Sequence, residues 1–359
     1  MRAWIPTTLL ALSCCLGGRT APVPTLAATP DVLAWVLPYE DSLGSLARNA
    51  RWISVASPTY FRVAVSANRA RLEDWDPAVP FPRARLAEAG RSGRFEVLPL
   101  VGCVDDCGPL ISRVLDDEEA RAHHVGDLAR VVHEEELAGL VIDYEQLDAR
   151  EESVSRFVTD LSTRLHGAGK RLGLVVQEPC GIDPACRRSP FPFDLRTIAR
   201  RVDLLVVMEY DYSVDGSSPP APRTWVQSGL TKMVSEIDAR DRTKLLCGLP
   251  LYGRISADLA GGETAVLFRD VGPANVRSAR VTVGPLTLDP AALSKVATVT
   301  DGARSGTLYL EDHETLAARL ALLSPYAIGG VALWRLGGED PCTSRELARL
   351  RRMPLPPCE

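Results

Sequence analysis

Lysine is nearly absent from this chain: of 41 basic residues only four are Lys, at positions 170, 232, 244 and 295. The arginines are outweighed by 46 acids, for a formal net charge of −5. That balance gives no electrostatic reason to expect nucleic acid or an anionic membrane as partner. Histidine is scarce too. All five (123, 124, 133, 166, 313) fall in polar, helix-like stretches and read as solvated. The chain has no GxSxG elbow, HExxH pair, P-loop or GxGxxG turn, which removes the commonest nucleophile, metal and nucleotide chemistries. No cofactor or metal is called for. Past the N-terminus no apolar run approaches the ~18 residues that a membrane helix requires.

The N-terminus reads as an export signal over residues 1–21. Arg2 precedes a short apolar run from Trp4 to Leu12, followed by "LALSCCLGG". Small residues before Cys14 or Cys15 leave two options open, a lipid anchor in the cell envelope or plain secretion. Seven cysteines remain beyond it. In an exported chain they are free to oxidise, and three local pairs suggest themselves: Cys103–Cys107, Cys180–Cys186 and Cys342–Cys358. A metal site at the first two pairs lacks further His or Cys at ligand spacing. Cys247 lies in an apolar run and reads as a buried thiol.

What the chain has in quantity is strand-like runs, each followed by a helical pattern. The strands are expected at 32–37, 52–57, 95–101, 139–145, 171–177, 203–210, 244–252 and 329–336. Most are continuous Val/Leu/Ile runs, as in parallel strands covered by helices. Amphipathic segments fill the gaps at Asp117–Glu136, Glu152–Gly167, Thr224–Ala239 and Glu314–Ser324, the third with Thr224 as a candidate cap. Eight such units over residues 28–359 predict an α/β fold, a (β/α)8 TIM barrel. An open doubly wound sheet would want a glycine-rich first turn, and strand one runs into "WVLPYEDSLG" instead. Residues 254–310 break the rhythm with short β patterns and read as a small α+β insertion after strand seven.

Barrel sites form at the C-terminal strand ends. Strand four ends with Asp143 and Glu145, two residues apart and therefore on one face. Gln177 and Glu178 end strand five. Strand six gives Met208, Glu209, Tyr210, Asp211 and Tyr212, strand seven Tyr252, and strand eight Trp334. Acids and aromatics on one rim suit a sugar: aromatic faces stack on pyranose C–H surfaces, and carboxyls handle protons and hydroxyls. Core packing competes for Trp334 and Tyr210, because aromatics also fill barrels. Asp105 and Asp106 read as a solvated turn. Glu209 should point toward the helix layer, where it would need a partner such as an Arg.

These residues carry a resemblance. "AGLVIDYE" resembles the strand-four signature of glycoside hydrolase family 18, the chitinase-like family, whose pattern is Asp-x-x-Asp-x-Asp-x-Glu. "VVMEYDYS" is similar to its Met-x-Tyr-Asp strand, "KLLCGLPLYGR" to its strand seven, and "GGVALWRLGGED" to its Trp-bearing last strand. The chain looks closest to spore-germination and cortex-lytic members. The resemblance implies Glu145 as general acid and Asp143 as the group that orients the substrate's own acetamido nucleophile. Tyr210 and Asp211 would hold the acetamido carbonyl, and Trp334 would floor the distorted sugar. Met208, Gln177 and Tyr252 would complete substrate binding. Where the pattern has its first two acids this chain has Ala138 and Val141, which leaves a catalytically silent sugar-binding protein as the alternative. The expected partner is an N-acetylglucosamine-containing polysaccharide or peptidoglycan, and the expected state a monomer.

Overall fold

The computed structural model describes residues 26–358, apart from 28, 93–94, 180–190, 262, 273–274 and 277–278. The export segment and the Cys180–Cys186 pair therefore lie outside the described residues. Eight parallel strands form the barrel: β1 (Asp31–Val36), β2 (Val55–Ser66), β3 (Leu100–Cys103), β4 (Gly139–Tyr144), β5 (Arg171–Gln177), β6 (Leu204–Met208), β7 (Leu245–Pro250) and β8 (Gly330–Trp334). Each pairs with its sequence neighbours, and β1 pairs with both β8 and β2, which closes the ring. Closure leaves no unpaired edge among the eight.

Helices cover the outside: α1 (Glu40–Asn49), α2 (Arg83–Arg91), α3 (Gly108–Asp116), α4 (Glu118–Glu134), α5 (Glu151–Gly167), α6 (Leu195–Arg201), α7 (Arg223–Glu236), α8 (His313–Leu323) and α9 (Thr343–Leu350). Strand alternation sorts the core into two shells. Leu33, Trp35, Leu100, Val141, Val175, Val206 and Leu246 fill the barrel, and the residues between them meet the helices. In α4 the buried stripe runs through His124, Val125, Leu128 and Val132. Helix α7 starts one residue before Thr224, after Pro222, with no side-chain cap. The expected Thr224 cap is thus absent: Pro222 already presets the entry, and Thr224 lies inside the first turn.

Strand β2 runs nine residues past its expected end at Ser57. Pro58 lies within it, facing Val36, the last residue of β1, where little of that ladder remains to be lost. Beyond it β2 folds back on Arg69–Asp74 as an antiparallel hairpin. The turn is two residues, Ala67 and Asn68, both at positive φ as this tight turn demands. Between β7 and α8 lies the insertion, an antiparallel sheet of seven short strands from Gly253 to Leu310 with its own apolar core. It enters right after Tyr252, so its first strand, Gly253–Ile255, stands beside the barrel mouth.

Candidate active site

The strand ends enclose a cleft of about 430 Å³ lined by Trp75, Leu100, Val104, Asp143, Glu145, Gln177, Glu178, Met208, Tyr210, Asp211, Trp225 and Trp334. A slightly larger hollow of about 480 Å³ lies between α1 and the C-terminal segment, and no barrel strand contributes to it. Of the expected site residues, Asp143, Glu145, Tyr210, Trp334, Asp211, Met208 and Gln177 all come together in the cleft. Tyr252 stands behind Asp211 and does not line it.

At its centre Asp143 is only 6% exposed, and its Oδ1 has no hydrogen-bond partner. Burial first, and the neighbouring Glu145 second, hold its carboxyl well above the usual carboxylate range. The two acids therefore share a face and compete for charge. Glu145 is half-buried, and its backbone N–H donates to the Cys103 carbonyl at 2.9 Å. Cys103 is disulfide-bonded to Cys107, which precedes α3. Gly108, at the start of that helix, passes so close to the backbone of residues 145 and 146 that a Cβ would sit 2.4 Å from both carbonyl oxygens. Thus the end of β4 is hydrogen-bonded to the end of β3, which the disulfide braces against the start of α3.

Tyr144, between the two acids, points outward. Its hydroxyl lies 2.7 Å from Nε2 of His124 on α4, and both rings stack with Phe157. His124 is 1% exposed, and burial pulls its pKa down to about 4. The expectation of a solvated histidine fails here, because helix position outweighs residue type. His123, His133 and His166 are exposed as expected.

An aromatic wall faces the acids. Tyr210 lies nearly parallel to Trp334 (16°, centroids 6.5 Å apart), and Trp35 meets both edge-on. Gly248 on β7 admits the Tyr210 ring, since a Cβ there would be 2.8 Å from it. Burial, then Asp143, pushes the phenol far upward, so its O–H is a permanent donor. Asp211 has a left-handed backbone (φ 62°) and accepts hydrogen bonds from the Tyr252 hydroxyl and Arg254. Arg254 comes from the insertion and lies 5.0 Å above the Tyr252 ring. The insertion thereby sets the Asp211 carboxylate at the mouth.

Two cleft residues were not legible. Trp75 follows the unexpected hairpin and lies over Gly102, where a Cβ would be 2.3 Å from the ring. Trp225 sits in the first turn of α7, off its apolar stripe. Glu209 points to the helix layer as expected, but it is fully buried, and neither oxygen has a partner. Arg319, which like Glu209 acts on the Cys247 thiol, is bound instead to Glu311 and the Ala221 carbonyl. Cys247 is buried with a free thiol, and Cys342 is bonded to Cys358.

Two aligned carboxyls under an aromatic wall at the mouth of a (β/α)8 barrel agree with what sequence comparison finds. The model of glycosyl hydrolases family 18 matches residues 60–339. The chain belongs to that family. It is a glycoside hydrolase of the chitinase-like type. The glycosylase YvbX of Bacillus subtilis (strain 168) is 24% identical over 65% of this chain and 67% of its own length. Among solved structures, a chitinase from Chromobacterium violaceum shares the fold with a TM-score of 0.72 at 20% identity, over 89% of this chain and 98% of that one. The spore cortex-lytic enzyme SleL of Bacillus cereus does so with a TM-score of 0.72 at 17% identity, over 91% and 75%.

Proposed function

We infer that this hydrolase cleaves β-1,4 bonds next to N-acetylglucosamine, in chitin oligomers or peptidoglycan, by substrate-assisted retaining catalysis. The observation that carries the reading is the shared face of Asp143 and Glu145 beneath Tyr210 and Trp334. Glu145, the less buried acid, protonates the glycosidic oxygen. Once Glu145 carries the one proton that the pair shares, the ionised Asp143 accepts the acetamido N–H and steers the acetamido oxygen onto the anomeric carbon. The Tyr210 hydroxyl donates to that oxygen, and Trp334 supports the ring. This route is an exception to the two-carboxylate scheme, because the nucleophile belongs to the substrate.

The pH dependence follows from the pair. Two carboxyls this close do not both ionise cheaply, so together they keep one proton above the ordinary carboxylate range. Activity is expected to be bell-shaped, with an alkaline limb that marks loss of that proton.

Export is part of the proposal, as a lipid-anchored envelope protein or a secreted monomer. The Cys103–Cys107 and Cys342–Cys358 bonds support it, since such bonds persist in oxidising compartments. The test of the chemistry is substrate replacement. Chitooligosaccharides should yield new reducing ends, and a thiazoline mimic of the cyclised intermediate should inhibit. Equal rates on a cellulose oligomer, which lacks the acetamido group, would rule the mechanism out.

A further inference from the structure

Four buried polar atoms of the barrel interior have no hydrogen-bond partner among the described residues: Nε1 of Trp35, Oγ of Ser57, Oγ1 of Thr59 and Oδ1 of Asp143. Trp35 belongs to the inner shell, and Ser57 and Thr59 follow Val55 of that shell at every second residue of β2, so all three face inward. The strand pairings fix their heights. Trp35 pairs with Ser57, Thr59 with Leu100, and Leu100 with Val141. In such a barrel the inward residues of alternate strands stack in layers. Followed round the closed ring, the pairings put Thr59 in the layer of Asp143, Ser57 in the layer of Val141, and Trp35 in the layer between. The hydroxyls thus share layers with the two inward positions where the family signature carries acids, one kept as Asp143 and one replaced by Val141. Between β2 and β4, strand β3 contributes Gly102, and the Trp75 ring takes the place of its missing side chain. That ring roofs the layer of Thr59 and Asp143 on the cleft side.

Buried polar atoms without partners call for an explanation, a buried indole N–H included. A water inside a protein typically makes about three hydrogen bonds to such atoms. The mechanism sharpens the demand. It needs Asp143 ionised when the acetamido N–H is bound, and burial disfavours that form. Hydroxyls and water donate to a carboxylate and accept from a carboxyl, so they serve both protonation states. Donation is the stronger of the two, because the acceptor is then charged. The titratable groups that face Asp143 are Glu145 on its own strand and Tyr210 just past β6. Leu100 and Gly102 of β3, and Val175 and Gln177 of β5, do not titrate.

We propose that an ordered water links the Thr59 hydroxyl to Oδ1 of Asp143, with Ser57 and Trp35 continuing the network beneath, and that this network does the work of the acid missing at Val141. Thr59 and Ser57 are then positioning residues that stabilise the ionised Asp143 and leave the shared proton to Glu145. The inference rests on the hydrolase reading above and deepens it.

The test titrates Asp143 with no substrate present. In the Glu145→Gln protein the carboxyl stretching band of Asp143 is followed against pH by infrared difference spectroscopy, and its loss on adding Asp143→Asn identifies it. Adding Thr59→Val instead, which exchanges the hydroxyl for a methyl, should raise the midpoint by about one pH unit, the difference between a charged and a neutral hydrogen bond. Thr59→Ser keeps the hydroxyl and should leave the midpoint near its starting value. Ser57→Ala should move it the same way by less, and gives a second reading if Thr59→Val does not fold. A high-resolution crystal structure should show the water within hydrogen-bond distance of Thr59 Oγ1 and Asp143 Oδ1. With Glu145 intact, Thr59→Val should move the alkaline limb of the pH profile upward and lower kcat by up to about tenfold with KM little changed, because the shared proton shifts to Asp143. A midpoint unmoved by Thr59→Val and Ser57→Ala, a shift as large with Thr59→Ser as with Thr59→Val, or no water at that position overturns the inference. The expected shifts in a protein that cleaves neither chitin oligomers nor peptidoglycan would uphold the network and overturn the hydrolase reading instead.

Discussion

Glu209→Gln is a test of electrostatics that needs no substrate. In the unfolded chain a glutamate loses its proton near pH ~4.3. In the folded protein Glu209 is fully buried with no hydrogen-bond partner, and burial, then the nearby Glu178, holds its proton far above that value. The folded state therefore binds more protons than the unfolded state across the interval. Stability from this group is fully present below the unfolded value and is lost as pH rises toward the folded one. The slope is about 1.4 kcal/mol per pH unit. The slope holds for as long as the pH stays below the folded value. Glutamine is nearly isosteric and does not titrate, so the variant lacks this slope. Its stability relative to wild type should climb at that slope as the pH rises from the unfolded value. The absolute offset is uninformative, because the amide brings its own unpaired N–H groups. Urea unfolding followed by tryptophan fluorescence at several pH values measures the difference, and other titrations cancel in it. A difference that stays flat, or falls with pH, would refute the claim that Glu209 sits buried as an acid.

Glu145→Gln should lower kcat by at least ~10²-fold while sugar affinity survives, since only proton donation is removed; comparable turnover would sink the assignment. Replacing Cys103 and Cys107 together by Ser should loosen the carbonyl that holds the Glu145 N–H, and kcat should drop several-fold with circular dichroism unchanged. Peptide mapping without reduction should find 103–107, 180–186 and 342–358 linked, and free thiols at these positions would count against the export proposal. Val141→Asp puts a third acid among Leu100, Val175 and the rest of the inner core, at a cost of about 1–3 kcal/mol in stability. If that position limits turnover, the variant should be faster with a displaced alkaline limb. A folded variant that is no faster, with the same limbs, shows that Val141 is not limiting.

The barrel was legible because its signals are local. Eight apolar runs at regular spacing become eight parallel strands, and alternation within β4 already placed Asp143 and Glu145 inward and Tyr144 outward. What stayed hidden depends on tertiary neighbours. Nothing in "SPTYFRVAVSANRARLEDW" announces that Trp75 will return to the cleft, because the hairpin's register and its landing on Gly102 are long-range facts. The nine further residues of β2 run through Pro58, which is harmless only because the ladder with β1 ends there. His124 was misjudged by residue type, although its spacing to Leu128 and Val132 puts it on the buried stripe of α4.

Glu209 shows the limit of that reasoning most sharply. Alternation gave its direction, and the cost of burying a charge gave the demand for a cationic partner. The fold answers the demand differently, by leaving the acid protonated beside Glu178 under a glycine of α7. From the sequence alone, a neutral buried acid and an ion-paired one look the same. Both are a glutamate in the outward phase of a strand. What separates them is whether an arginine on a neighbouring helix is already engaged, and Arg319 is engaged with Glu311.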